Sequence, residues 1–335
     1  MPYIPLINRF PPRGSMVSKK IVMAIVVILA IALVAGYWFL AKPKERVVRI
    51  GAIKALGVGQ IYVAIAKGWL EQEGIKYTYS EFSSGPALME AFAAGEIDVA
   101  FAGLVPATVW RDKGVPLKIV ALTCAGGHAL ITMPNSGIKS VKDLKGKKVA
   151  EPRRGSVTDI LTRAFIIMEK GGMDPEKDLE LYEMKPADMP YALQRGDIDA
   201  AVTWEPFVSQ AVLQMGAVIV FDVIKEWPGY PVNSMFVRED FLKENKDLVL
   251  KLISIHQRAT DFINNHPDEA NKILAEHLGL SVEIIEKARE RVIFRTKIPV
   301  SDAIKLISFA HKLGYISRVP SPEEIFWTES PAYGG

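Results

Sequence analysis

Cysteine is nearly absent: Cys124 is the only one in 335 residues. That excludes a disulfide framework, a thiolate metal cluster and a CxxC redox pair. Cys124 lies in an apolar run and reads as a small buried side chain. The five histidines, His128, His256, His266, His277 and His311, are scattered, with no HExxH and no spacing that completes a metal site. No GxSxG nucleophile elbow is present, and "KGGMD" and "LKGKK" lack the GxxxxGK[ST] of a phosphate-binding loop. A formal charge of only +3 comes without a basic stripe carrying interleaved aromatics, so nucleic acid is not an expected partner. No cofactor, no metal and no catalytic residue are expected.

What is present begins with length. The chain is 49% hydrophobic and 24% charged, long enough to bury a large core and too long for most single domains. Two lobes are therefore expected. From Ile21 to Leu40 the sequence IVMAIVVILAIALVAGYWFL carries no charge. About twenty residues at ~1.5 Å each match the ~30 Å of a hydrocarbon core. Lys19 and Lys20 precede the stretch, while Tyr37 and Trp38 stand where an interfacial belt would lie. The competing reading is a signal peptide, whose apolar region should be only ~7–15 residues long. The expectation is one uncleaved transmembrane anchor at 21–40, after a Pro-rich tail at 1–20 and before a tether at 41–46. The protein would then be single-pass in the cell membrane, with its lobes extracytoplasmic.

Beyond the tether, strand and helix patterns alternate. "VVRIGAI" reads as a buried strand, "IYVAIAKGWLEQEG" as one amphipathic helix, and "IKYTYSEF" as a strand. Strands joined by helices of this length imply parallel pairing through right-handed crossovers. A second lobe repeats the plan from "LKGKKVAEP" to "AVIVFDV". Gly-acid-Ile-Asp-x-Ala occurs once in each, at Gly95 and at Gly196. Both read as a helix-ending glycine followed by a strand that buries Ile97 or Ile198. From Phe241 onward only helical patterns follow. "HALITMP" and "NSMFVRE" lie one lobe apart and read as two crossings. This gives a discontinuous first lobe, 47–132 and 233–335, around a second lobe, 133–232.

At this point the residues carry a family resemblance. "FSSGPALMEAFAAGEIDVAFAG", "PNSGIKSVKDLKGKKVAEPRRGS", "ADMPYALQRGDIDAAVTWEPF" and "NSMFVREDF", in that order and spacing, resemble the solute-binding proteins of ABC importers for aliphatic sulfonates, nitrate and taurine. The resemblance spans nearly all of Val47 to about Ser330. It implies a two-lobed α/β periplasmic-binding-protein-like fold of type II, with parallel-sheet lobes joined by two crossover strands. It further implies a small anionic solute, an ABC permease with its ATPase as partners, and no catalysis. Thiamine-precursor pyrimidine and riboflavin-like solutes stay open, as do nitrate and bicarbonate. A few cofactor-biosynthesis enzymes share the fold, and the membrane helix argues against them.

In open α/β sheets ligands sit beyond the carboxyl ends of the strands, where helix N-termini offer unpaired N–H groups. Such junctions contribute Gly59 and Gln60, then Ser84 and Gly85, then Gly103, Leu104 and Val105. The last, "RRGSVTD", contributes Arg154, Gly155, Ser156, Val157 and Thr158, and corresponds to the family's anion-holding loop. By resemblance Trp204 and Glu205 face the cleft, Trp204 as a wall and Glu205 as either an amine acceptor or a helix N-terminal acid. Asn233 completes the set from the returning strand. One departure is Leu104 and Val105, where sulfonate and taurine binders usually carry hydroxyl or acidic side chains. It points to a larger or more apolar solute and away from nitrate and bicarbonate.

Overall fold

A computed structural model describes residues 46–334 together with Met23, Ala24, Val26, Val27, Ile28, Ala30 and Ile31, these seven being helical and exposed. The expected membrane-spanning helix at 21–40 is corrected. Among the described residues no helix is long and apolar enough to cross a membrane. The structure therefore does not support the single-pass anchor, the membrane partner or the membrane localisation drawn from that stretch. The tail at 1–20, the rest of 21–40 and the tether up to Glu45 lie outside the described residues. The chain divides into two units, 1–46 and 47–335, and the second is the subject from here.

Eleven strands are described in it. They are β1 (Val48–Ile53), β2 (Tyr77–Phe82), β3 (Val99–Gly103), β4 (Leu117–Gly126), β5 (His128–Thr132), β6 (Lys148–Glu151), β7 (Glu180–Glu183), β8 (Ala200–Trp204), β9 (Val218–Asp222), β10 (Pro231–Arg238) and β11 (Val292–Phe294). They form two sheets, in the orders β11-β4-β10-β3-β1-β2 and β7-β6-β8-β5-β9. The expected all-parallel lobes are corrected to mixed sheets. β1 pairs in parallel with β2 and β3, and β6 with β7 and β8, while β10 is antiparallel to β3 and β4, and β5 to β8 and β9. The reason is topological. A strand entering a lobe directly from the other lobe has no crossover helix to reverse it, so it runs against its neighbours.

The chain leaves the first sheet at Gly126 and enters the second at His128, so the first crossing lies at Gly126 and Gly127. We propose drawing the lobe boundary there, ahead of β5 rather than after Thr132. Two other expectations change. The stretch 61–74 is two helices, Gly59–Ala66 and Trp69–Gln72, broken at Gly68. The C-terminal region is not helical throughout, since β11 adds to the edge of β4. Val292 and Phe294 face inward and Ile293 is exposed, an alternation too short to stand out among long helical periods.

The duplicated Gly-acid-Ile-Asp has a physical cause in both lobes. Gly95 and Gly196 carry φ of +78° and +75°, and Ile97 and Ile198 are buried. The aspartate does the rest. The Arg49 main-chain N–H, at the start of β1, donates to Asp98 Oδ2 at 3.0 Å, and that of Lys148, at the start of β6, donates to Asp199 Oδ2 at 2.8 Å. Returning bonds run from Asp98 N–H to the Arg49 carbonyl and from Asp199 N–H to the Lys148 carbonyl, each at 2.8 Å. Each aspartate thus fixes the register of its strand against the first strand of its lobe. Asp98 also receives Arg49 Nε at 2.9 Å and Nη2 at 2.6 Å, so its buried carboxylate is charge-paired. Replacing Asp98 by Ala is expected to lower unfolding stability by about 2 kcal/mol, the scale of a hydrogen bond to a charged group. Urea unfolding of the unit 47–335 measures this, and an unchanged midpoint would contradict the role.

Candidate functional site

Five strands deliver their carboxyl ends to one place. β1, β2, β3, β6 and β8 end at Ile53, Phe82, Gly103, Glu151 and Trp204, and helices then start at Leu56, Gly85, Leu104, Val157 and Phe207. Ser84 and Ser156 cap two of these helices, accepting from the Ala87 N–H at 3.4 Å and the Asp159 N–H at 3.1 Å. Between the lobes lies an inner chamber of about 50 Å³. Outside it lies a vestibule of about 710 Å³. Gly85, Ser156 and Trp204 border both, so Trp204 stands as the partition between them.

Of the residues expected at the site, Gly85, Gly103, Ser156, Val157 and Thr158 line the chamber with Trp204, Glu205 and Asn233. Ser84 lines the vestibule only. The others are placed elsewhere. Gln60 is buried in the first lobe, its Nε2 donating to the Thr123 carbonyl at 2.5 Å. Gly59 packs on the helix Pro267–Leu278, where an added Cβ would stand 2.7 Å from Leu274 Cδ2. Leu104 and Val105 are fully buried core residues. They do not wall the site, so the case against nitrate built on them lapses. Arg154 is exposed and paired with Glu176 at 3.0 Å. The Gly155 N–H is taken by Asp159 Oδ2 at 2.9 Å, and nothing crowds the glycine. Arg153 faces the vestibule and reaches Glu90 of the other lobe at 3.2 Å.

The loop carrying Ser156 and Thr158 is braced from beneath. Buried Arg163 donates to Asp159 at 2.6 Å, to Glu176 at 2.5 Å and to Glu151. Burial, with Asp159 close by, pushes the Glu151 carboxyl up to about 8, against the pull of Arg163. Asp159 in turn holds the Gly155 N–H, so one arginine sets the path of the whole turn.

Glu205 follows the helix-acid alternative. Its oxygens accept the Ser209 N–H and Oγ–H, each at 3.0 Å, at the start of the helix Phe207–Met215. Arg291 Nη1 approaches at 3.2 Å, and its Nε lies 3.4 Å from Asp222. Burial raises the Glu205 carboxyl above its ordinary range, while the Ser209 N–H and Arg291 pull it back. Arg291 immediately precedes β11 of the first sheet, whereas Glu205 immediately follows β8 and Asp222 ends β9 of the second. The trio is an ion cluster between lobes, 11%, 0% and 7% exposed. Composition and spacing carried no signal for Arg291, because 86 residues separate it from Glu205.

Several chamber residues were not anticipated. Gly57, Cys124, Gly127, His128 and Val292 line it as well. Burial raises the Cys124 thiol to about 12, so it is inert. His128 places Nε2 at 2.9 Å from Thr158 Oγ1 and Nδ1 at 2.9 Å from Tyr230 Oη. Burial drives its ring down to about 3, opposed by the Gly126 carbonyl, so it is neutral. Among the described residues, Glu205, already paired, is the one carboxylate lining the chamber, and no lysine or arginine lines it.

Comparison with known proteins places the chain among solute-binding relatives. The model of the NMT1-like family matches residues 41–279. A putative aliphatic sulfonates-binding protein of Bacillus subtilis is 27% identical over 264 residues, covering 77% of each chain. The taurine-binding periplasmic protein of Escherichia coli is 26% identical over 180 residues, 53% of this chain and 55% of that one. Among solved structures, the periplasmic aliphatic sulphonate binding protein of Escherichia coli superposes with a TM-score of 0.73 at 23% identity, covering 85% of this chain and 98% of that one.

The lobes meet closely at Gly103, where an added Cβ would stand 2.8 Å from Val157 Cγ2 of the opposite lobe and 3.0 Å from Pro106 Cδ. Neither a proline ring nor a β-branched side chain can swing away cheaply. Gly103→Ala is therefore expected to wedge the lobes apart, weakening solute binding about tenfold or more, with a smaller fall in thermal stability of the unliganded protein from the Pro106 contact within its own lobe. Calorimetry beside a melting curve checks it. Full affinity in the variant would contradict the close approach.

Proposed function

The chain belongs to the NMT1-like family, and from its similarity to sulfonate- and taurine-binding proteins and the donors of its chamber we propose that it captures a small organic anion, a sulfonate in the first place, by closing its lobes upon it. It is an extracytoplasmic solute-binding protein related to the sulfonate-, taurine- and nitrate-binding proteins, with a binding role and not a catalytic one. The carrying observation is the few hydrogen-bond donors set in an otherwise apolar chamber wall. Ser156 Oγ has already accepted the Asp159 N–H, which leaves its hydroxyl proton to give. Trp204 Nε1–H has no partner among the described residues. Helix starts at Leu56, Gly85, Leu104 and Val157 add the positive ends of their dipoles. A group that only accepts hydrogen bonds suits such a wall, and a sulfonate is such a group.

Size and charge narrow the class. The chamber of about 50 Å³ suits a headgroup, and a flavin ring system exceeds it. An organic tail would run into the vestibule, along Met184, Tyr191, Phe207, Leu278 and Leu280. Glu205 spends its oxygens on Ser209 and Arg291, which favours a solute without an ammonium group. Solute contacts from both lobes would draw the population toward the closed form, since each lobe alone offers only part of the donor set. An ABC permease with its ATPase is the partner this reading calls for.

Titration calorimetry of the unit 47–335 against ethanesulfonate, hexanesulfonate, taurine, nitrate, a thiamine-precursor pyrimidine and riboflavin tests the reading. Binding of the alkanesulfonates is expected. Ser156→Gly should weaken it about tenfold, because a hydrogen bond to a charged group is worth roughly 1.5–3 kcal/mol. The same change costs the helix only a few tenths of a kcal/mol as a cap. Binding of riboflavin or the pyrimidine without any sulfonate would overturn the assignment.

A further inference from the structure

Beyond the donors counted above lies a chain of hydrogen bonds whose proton positions can be worked out. Tyr230 is fully buried, and its Oη accepts the His128 main-chain N–H at 3.1 Å. The same oxygen lies 2.9 Å from His128 Nδ1, and His128 Nε2 lies 2.9 Å from Thr158 Oγ1. A neutral imidazole carries one proton, on either nitrogen. If Nδ1 held it, whether given to Tyr230 Oη or to the nearby Gly126 carbonyl, the Tyr230 proton could no longer go to Nδ1, and no other hydrogen bond among the described residues takes it, a loss of roughly 1–3 kcal/mol. If Nε2 holds it, every buried proton is used. Tyr230 O–H gives to Nδ1, Nε2–H gives to Thr158 Oγ1, and only the Thr158 hydroxyl proton remains, at the chamber wall.

We propose that His128 is a positioning residue for solute recognition: held as the Nε2–H tautomer by Tyr230, it donates to Thr158 Oγ1 and so turns the Thr158 hydroxyl proton away from the ring and toward the chamber. The inference rests on the reading of the chamber as an anion site and adds what makes Thr158 a donor. His128 follows Gly127 at one crossing between lobes, and Tyr230 precedes β10 at the other. The chain that aims Thr158 is therefore anchored on both connections. It stays the same over the neutral pH range because the buried ring does not take a second proton there.

The test has a part that needs no solute. Two-bond ¹H–¹⁵N correlation spectra of the histidine rings in the unit 47–335 should show His128 as the Nε2–H tautomer, identified by its loss in His128→Gln. Tyr230→Phe removes the phenol donor while keeping the ring that fills the core, and should move His128 toward the Nδ1–H form. It should also weaken ethanesulfonate binding about five- to tenfold. Thr158→Ser should keep the affinity and Thr158→Val should lose it. An Nδ1–H tautomer in the unsubstituted protein would overturn the proposal, and so would Tyr230→Phe with both tautomer and affinity unchanged. If ethanesulfonate does not bind at all, the sulfonate reading fails, and the tautomer spectra still decide the role of His128.

Discussion

The backbone at Gly126 is the constraint on which the cleft depends. Its φ of +82° belongs to glycine, and a Cβ there would stand 2.3 Å from the Arg291 carbonyl oxygen and 2.5 Å from Ile224 Cδ1. Because no side chain intervenes, β11 can lie flush on the end of β4 and bring Arg291 over the second lobe. Arg291 then meets Glu205 and Asp222, and Glu205 is withdrawn from the solute. The same turn passes directly into Gly127 and His128, which wall the chamber and support Thr158. A crossing between lobes, an ion cluster and a donor wall thus share one point of close backbone contact.

On the proposed reading, the chamber would favour an anion without a lysine or arginine among its described lining residues. Burying a lysine or arginine in so small a chamber would cost several kcal/mol whenever the solute left. Neutral donors avoid that penalty. On that reading their protons are aimed at the solute because each hydroxyl already accepts from behind, Ser156 from the Asp159 N–H and Thr158 from His128. The charged groups of this region are set one layer back, where Arg163 braces the loop and Arg291 bridges the lobes. Both act through geometry rather than by touching the solute.

Much of this was legible in the sequence, for reasons that differ by residue. Ser156, Trp204 and Gly103 stand at strand-to-helix junctions, a local pattern that periodicity and turn chemistry reveal. The repeated Gly-acid-Ile-Asp was readable as a turn, though not as a clamp on the first strand of each lobe. Gln60, Leu104 and Val105 misled because a junction shows where a helix starts and not which face its next residues take. Gln60 turns inward to the Thr123 carbonyl, and Leu104 and Val105 fill the core. The antiparallel strands β5, β10 and β11 follow from how the chain travels between lobes, which no window of residues contains. His128 and Arg291 were missed for the same reason, since their partners are distant in sequence: Tyr230 for the first, Glu205 and Asp222 for the second. The apolar run at 21–40 shows the opposite failure, a strong compositional signal that the described structure does not support as a membrane span.

The central claim is that an acceptor-only solute group is held in the chamber by neutral donors. Its most direct measurement is the indole ¹H–¹⁵N signal of Trp204, assigned by its loss in Trp204→Phe, during titration with an alkanesulfonate. Trp204 Nε1–H should shift downfield and exchange more slowly with water as it gains an acceptor, in step with calorimetric binding. Saturable binding that leaves this signal unmoved would place the solute elsewhere and contradict the account.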